Sequence, residues 1–302
     1  MNKNTKFFLT SFILSLFFFL GINSFQVRVE RFFYAQITQP FQNLALVDLS
    51  NIPEKPRPDI EAESVISVKI NKSGKERFLL RRKIDEPLSI ASLTKLMTAL
   101  VVIENNPDLS KTITISRDAE NKYNVPIYGN LKTGQKVSLE NLLNLMLHYS
   151  SNDAAFALAE SVGLNNFIEK MNQKAKDLCL ENTHFINPTG LDPQDIDTVP
   201  NYSTSYDLML LSKYILKNHP FLFELSLENG PYLIENGVLD LHILDSQIII
   251  GGKTGYTEKA GGCMLFVFSD QNENYFINLV LGTESPQKRI EEMQKLINWI
   301  NL

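Results

Sequence analysis

Cysteine is nearly absent. Cys179 and Cys263 are the only two in 302 residues, too few for the disulfide framework that holds small secreted domains together. Cys263 falls in an apolar run and Cys179 near the end of a helical pattern, so both are expected unpaired and at or near the core. Histidine is scarce as well. Of the four, His184, His219 and His242 show no metal-ligand spacing, which argues against a zinc enzyme; no metal and no other cofactor is expected. A net charge of −5 without any long basic run argues against a nucleic-acid surface. Internal repeats and low-complexity tracts are also missing, so the chain reads as globular.

The content that remains is ordinary for a packed protein, 44% hydrophobic and 21% charged. The N-terminus stands apart. Lys3 and Lys6 precede an apolar stretch from Phe7 to Phe25, the pattern of an export segment. Its length lies between a cleaved signal peptide and an uncleaved membrane anchor, and no A-x-A cleavage site is evident. Residues 1–28 are therefore assigned to a signal peptide or signal anchor. Residues 29–60 contain Pro40, Pro53, Pro56 and Pro58 and read as an extended linker. Residues 61–302 form the expected catalytic domain.

Within that domain, Ser64 to Ile70 and Glu76 to Arg81 flank the polar Asn71 to Lys75, which predicts a hairpin. From Leu88 to about Lys217 the pattern is mainly helical, with polar loops at 105–136 and 186–202. Ile248-Ile249-Ile250-Gly251-Gly252 and Cys263 to Phe268 predict a second hairpin. Ile290, Met293, Ile297 and Ile300 then follow helical spacing. Strands from both ends around a helical middle predict an α+β domain whose antiparallel sheet unites the termini and is flanked by helices.

Three short strings carry the chemistry: Ser92-Leu93-Thr94-Lys95, Ser150-Ser151-Asn152 and Lys253-Thr254-Gly255. None suffices alone, because S-x-x-K is expected by chance about 1.5 times in this composition. Ser285-Pro286-Gln287-Lys288 repeats the first string, and Lys132-Thr133-Gly134 repeats the third. Context separates the copies. Leu93, Leu96, Met97, Leu100 and Val101 define a wide apolar face behind Ser92, so this helix is central, and the i, i+3 spacing puts Lys95 beside Ser92 at its N-terminus. Ser285 reads instead as a helix start, with Pro at the first turn. Lys132 lies in a polar stretch and reads as a turn. S-x-N occurs once, at Ser150. Together the three strings supply the groups of an active-site serine acylase, among them a nucleophile, an amine base and a cation on a strand with glycine beside it.

In this order the strings resemble the serine-type D-alanyl-D-alanine carboxypeptidases, low-molecular-weight penicillin-binding proteins of the β-lactamase/transpeptidase-like fold. The likeness runs from about Glu61 to Leu302. It includes Ala91 to Ala99, Ser151 to Ala155, Asn182 to Asp192, Ser203 to Asp207 and Gly252 to Gly262. Ser151 departs from it, standing where the family commonly has glycine. The resemblance implies that Ser92 attacks the bond between two D-alanines, that Lys95 is its base and that Ser150 relays a proton to the leaving amine. It further implies substrate contacts by Asn152, Lys253, Thr254 and Gly255, and an oxyanion hole from the backbone N–H groups of Ser92 and Tyr256. The implied partners are peptidoglycan stem peptides, with β-lactams as inhibitors. The implied location is the cell envelope, and the apolar stretch at 7–25 would anchor the protein to the membrane if it is not cleaved.

Rival readings are a D,D-endopeptidase cutting cross-links, a class A-type β-lactamase and an inactive penicillin-binding sensor. The β-lactamase reading needs a glutamate to activate water. Glu140-Asn141-Leu142-Leu143-Asn144 has the right string but precedes the S-x-N motif instead of following it, so Glu140 reads as helix surface. His148 reads as structural, and Asn187, Tyr202 and Asp207 as residues that pin loops.

Overall fold

A computed structural model describes residues 56–121, 131–227, 239 and 247–301. The export segment at 7–25 and most of the expected linker lie outside these residues. Among the described residues, no helix is long and apolar enough to cross a membrane.

The elements follow in chain order. The first part holds β1 (Ser64–Ile70), β2 (Glu76–Arg82), β3 (Leu88–Ser89), a 3-10 turn at Ala91–Leu93, α1 (Thr94–Asn105), β4 (Thr112–Thr114) and α2 (Arg117–Asn121). Next come β5 (Lys136–Ser138), α3 (Leu139–Leu147), α4 (Asn152–Glu160), α5 (Leu164–Asp177), β6 (Tyr202–Ser203), α6 (Ser205–Asn218) and α7 (Phe221–Glu224). The chain then returns to strands with β7 (Ile248–Thr257), β8 (Gly261–Ser269) and β9 (Tyr275–Thr283), and closes on α8 (Pro286–Asn301).

The main sheet has the order β2-β1-β9-β8-β7, with every neighbouring pair antiparallel. β1 joins β9 through Ser64↔Leu281 to Ile70↔Tyr275, so the two ends of the domain close one sheet. Two-residue periodicity sorts its side chains between two cores. Cys263, Leu265 and Val267 of β8, with Ile277 and Leu279 of β9, join Ile66 and Val68 in the core beneath the helical middle. Met264, Phe266 and Phe268, with Phe276 and Val280, pack against Ile290, Met293, Leu296 and Ile297 of α8. Burial on both faces explains why β8 reads as an unbroken apolar run. The polar pair at the sheet centre is satisfied, since Ser67 Oγ donates to Asn278 Oδ1 at 2.7 Å across the β1–β9 register.

Helix α1 is buried from Thr94 through Val102. It is enclosed on all sides, as a central helix must be. The short β3–β6 and β4–β5 ribbons, absent from the sequence reading, tie its flanking loops down.

Packing starts before the expected linker ends. Ile60 is buried in the core beside α8, and its carbonyl accepts from Arg82 Nη2 at 2.6 Å. The cysteines are unpaired, with Cys263 buried, but Cys179 is exposed rather than near-core. Its φ of 57° is the left-handed position after α5, where the amides of Cys179 and Leu180 bond back to the carbonyls of Lys176 and Ala175. That C-terminal motif turns the side chain at this position outward.

At the N-terminal edge of the domain, the fully buried Glu292 carboxylate accepts from Lys295 Nζ at 2.8 Å and the Glu61 amide at 2.9 Å, with Lys288 Nζ at 3.3 Å. Burial alone raises its pKa, but the Lys295 ammonium, the Glu61 amide and Lys288 outweigh burial and hold it below the ordinary 4.5. A depressed folded-state pKa gives stability that is present above the unfolded value and lost as pH falls through the folded one. Urea midpoints of wild type should therefore decline below about pH 4.5. Glu292→Gln should lower the neutral midpoint and flatten this acid slope, and an unchanged slope would remove Glu292 from the account.

Candidate functional site

Ser92 does not open α1 but sits one step earlier, in the 3-10 turn whose last residue, Leu93, is the cap of α1. Ala91 before it has φ 45°, a left-handed conformation that costs a β-carbon-bearing residue about 1–2 kcal/mol. Lys95 stands in the first turn of α1 and is fully buried. Its Nζ lies 2.7 Å from Ser92 Oγ, 2.8 Å from Asn152 Oδ1 and 2.8 Å from the Thr189 carbonyl. Burial first, and the Lys253 ammonium second, push its pKa well below the ordinary lysine value.

The Thr189 carbonyl is held by Asn187, expected from the sequence only to pin a loop, and by Asn201 and Thr98, which the sequence does not single out. Asn187 Oδ1 accepts from the amides of Thr189 and Gly190 at 3.0 and 2.7 Å, and its Nδ2 donates to Leu191 O at 3.0 Å. Asn201 in turn accepts from the Ile186 amide at 2.8 Å and donates to Thr94 Oγ1 at 3.0 Å, fastening the loop to α1. Thr98 Oγ1 donates to Pro188 O at 2.7 Å. Gly190, at φ 83°, packs so close that a β-carbon there would fall on the Ala91 carbonyl and 2.9 Å from Thr94 Oγ1. The block Asn187-Pro188-Thr189-Gly190 was visible as family likeness. Its contact with the Lys95 amine was not.

Ser150 and Ser151 divide two tasks. Ser151 caps α4, its Oγ accepting from the Ala154 amide at 3.1 Å. Ser150 is thereby free to point elsewhere and adopts φ 58°, with its Oγ 2.8 Å from Lys253 Nζ. Lys253 is 2% exposed and also donates to the Thr254 carbonyl at 3.0 Å. It lies on β7, the edge strand of the sheet. Gly255 brings that strand against the serine turn, since a β-carbon there would stand 2.8 Å from Ser92 N. Tyr256, next along, is 45% exposed. Asp192 clasps the following turn through Thr257 Oγ1 at 2.9 Å and the Lys259 amide at 3.1 Å.

The fold thus brings Ser92, Lys95 and Asn152 around one amine, links Ser150 to Lys253 and sets Gly255 against Ser92. Thr254 and Tyr256 lie beside them on β7. The duplicate strings fall elsewhere. Thr133 binds the Glu120 carboxylate of the same chain through its amide at 2.8 Å, and Lys132, largely exposed, pairs with Glu120 at 3.3 Å. Ser285 caps α8, accepting from the Lys288 amide at 3.1 Å. Glu140 is exposed on the first turn of α3, and His148 packs edge-on to Tyr149 with ring centroids 4.3 Å apart. Among the described residues, no three His, Cys, Asp or Glu side chains gather as a metal site.

The comparisons with known proteins bear on the family and the fold. The profile of the D-alanyl-D-alanine carboxypeptidase family matches residues 50–285. The D-alanyl-D-alanine carboxypeptidase DacD of Escherichia coli (strain K12) is 33% identical over 267 residues, 82% of this chain and 66% of that protein. The D-alanyl-D-alanine endopeptidase of the same organism is 31% identical over 287 residues, 90% of this chain and 88% of that protein. Penicillin-binding protein D2 from Listeria monocytogenes, solved in its ampicillin-bound form, has a TM-score of 0.62 and 28% identity, covering 80% of this chain and 98% of that one. The fold is α+β and that of the penicillin-binding proteins. The chain belongs to the D-alanyl-D-alanine carboxypeptidase family. It spans less than two thirds of the length of three of its curated carboxypeptidase relatives.

Because Gly190 touches the serine turn through backbone alone, Gly190→Ala should displace Ala91 or the Thr189 carbonyl. Misplacement on that scale costs about 100-fold in rate. The variant should remain folded by circular dichroism while its labelling by a fluorescent penicillin slows by about that factor. Labelling at the wild-type rate would show that the 187–190 loop does not set the position of Ser92.

Proposed function

We propose that this protein is a serine-type D-alanyl-D-alanine carboxypeptidase, removing the terminal D-Ala of peptidoglycan stem peptides through an acyl-enzyme on Ser92. The observation that carries the reading is the set of groups around Lys95 Nζ. Asn152 Oδ1 and the Thr189 carbonyl only accept, whereas Ser92 Oγ–H is the one neighbour with a proton to give. A neutral amine has two N–H groups for the two acceptors and a lone pair for the hydroxyl. Burial and Lys253 favour that neutral form, so Lys95 takes the Ser92 proton as Oγ attacks the carbonyl.

The backbone N–H groups of Ser92 and Tyr256 stabilise the oxyanion, a reading supported by the contact of Gly255 with Ser92 N. Ser150, held by Lys253, relays to the departing amine the proton that Lys95 took from Ser92, so both return to their starting protonation. Lys253 and Thr254 bind the terminal carboxylate through charge-assisted hydrogen bonds, Gly255 lets the peptide lie close to β7, and Asn152 holds the penultimate amide. Water then hydrolyses the ester. A β-lactam enters as a mimic of the peptide and leaves its opened ring tethered over the serine, where it hinders that water. Glu140, exposed on the surface of α3, does not supply a base for that water.

Residues 61–302 form the catalytic domain in this reading, exported to the cell envelope by residues 7–25, which act as a signal peptide or remain as an anchor. Cleavage of cross-links as a D,D-endopeptidase is the second reading. It is favoured by one observation, the match to an endopeptidase across 88% of that protein's length.

Product analysis by mass spectrometry separates the two. Free D-alanine released from monomeric pentapeptides is the expected result, while cross-linked dimers cut to monomers without D-alanine release would establish the endopeptidase. Ser92→Ala should abolish fluorescent-penicillin labelling. Lys253→Ala should lower kcat/KM by about 10²–10³, and Lys132→Ala by less than about threefold. A reversed order of the two lysines would place the substrate on the wrong strand.

A further inference from the structure

The buried Arg289 has a place in this site that neither its motif strings nor its sequence position announces. It lies in the first turn of α8 and is 5% exposed. Its Nη1 donates to the Gly255 carbonyl at 2.7 Å. The guanidinium reaches β7 by crossing β8 where that strand has no side chain. Gly262 pairs with Tyr256 in the β7–β8 register, and a β-carbon on Gly262 would stand 3.1 Å from Arg289 Cβ and 2.5 Å from Ser285 O. The gap is therefore part of how Arg289 gets there.

The Gly255 carbonyl and the Tyr256 N–H are the two ends of one planar peptide group. A cationic donor on the oxygen increases the C–N double-bond character, withdraws electron density from nitrogen and strengthens the N–H as a donor. It also fixes the plane, and with it the direction in which the N–H points. We propose that Arg289 is a positioning residue that polarises and aims the Tyr256 N–H at the developing oxyanion. The inference rests on the proposed acyl-transfer reading, in which that N–H is one of the two oxyanion donors. It predicts a defect confined to states that carry the oxyanion.

Three measurements on the full-length protein test it, using Arg289→Gln and Arg289→Lys. Gln keeps a neutral donor, and Lys keeps the charge without the planar fork. The first is the second-order acylation constant with a fluorescent penicillin, alongside affinity for a D-alanine-mimicking peptide boronate, whose serine adduct is tetrahedral. Both should fall about 10-fold to 100-fold in Arg289→Gln, a fraction of what losing a whole oxyanion donor costs, and less in Arg289→Lys. The second is binding of an unreacted D-alanyl-D-alanine peptide in the Ser92→Ala background, which should change by less than about threefold. The third uses the fact that Gly255-Tyr256 is the only Gly-Tyr step in the sequence. Carbonyl-13C glycine with 15N tyrosine then isolates its peptide as one resonance, whose nitrogen should shift upfield in Arg289→Gln.

Equal losses for the unreacted peptide and the boronate would overturn the proposal, because Arg289 would then be binding the ground-state ligand. So would wild-type acylation in a variant whose Tyr256 resonance has moved. Wild-type protein that is not labelled at all would instead defeat the acyl-transfer reading, and this inference with it. A Ser92-dependent wild type with unaffected variants would defeat the inference alone.

Discussion

Lys95 carries its amine into a space closed to solvent, where an ammonium is expensive and a second cation, Lys253, stands close enough to make it more so. The surrounding structure answers that constraint. Two acceptors without protons, Asn152 Oδ1 and the Thr189 carbonyl, satisfy the N–H groups of a neutral amine. To deliver them, the fold brings α4 and the 186–191 loop to the start of α1, and Asn187 and Asn201 bind that loop along its length. Lys253 reaches the same centre from β7, at one edge of the antiparallel sheet that joins the two ends of the domain.

Backbone approach is the second constraint. Gly190 lies against Ala91, and Gly255 against Ser92 N, so the serine turn is enclosed by main chain on two sides. The two non-glycine residues of the site with left-handed backbone, Ala91 and Ser150, sit at the serine turn and at the hydroxyl held by Lys253. Conformations of this kind cost about 1–3 kcal/mol each and persist only where the surroundings over-determine them. Here the asparagine-bound loop, the Ser151 cap and the edge strand supply that determination, and the strain falls beside Ser92 and at Ser150.

Much of this was legible in the sequence because it is local. The two hairpins, the buried helix behind Ser92 and the closing helix each follow from short-range periodicity, and an ordered triplet separated Lys253 from its duplicate at Lys132. What escaped is non-local or conformational. Nothing in Ser150-Ser151-Asn152 says that the second serine takes the cap and turns the first toward Lys253. The helix-end geometry that exposes Cys179 depends on backbone bonds, not on its apolar neighbours. The Thr189 carbonyl has no side-chain signature, and Arg289 lies 34 residues beyond the carbonyl it binds. Its only trace is Gly262, a glycine within a strand, which is a recognisable sign of a close approach.

The protonation state of Lys95 is the claim on which the chemistry turns, and titrating it is the most direct test. With lysine 13C-labelled at Cε and the resonance assigned through Lys95→Met, the free protein is followed by NMR from pH 5 to 11. The expected midpoint is well below the ordinary 10.5 and moves upward in Lys253→Ala as the neighbouring cation is removed. A midpoint at the ordinary value, unmoved by Lys253→Ala, would mean that Lys95 is charged in the resting protein and is not the base that activates Ser92.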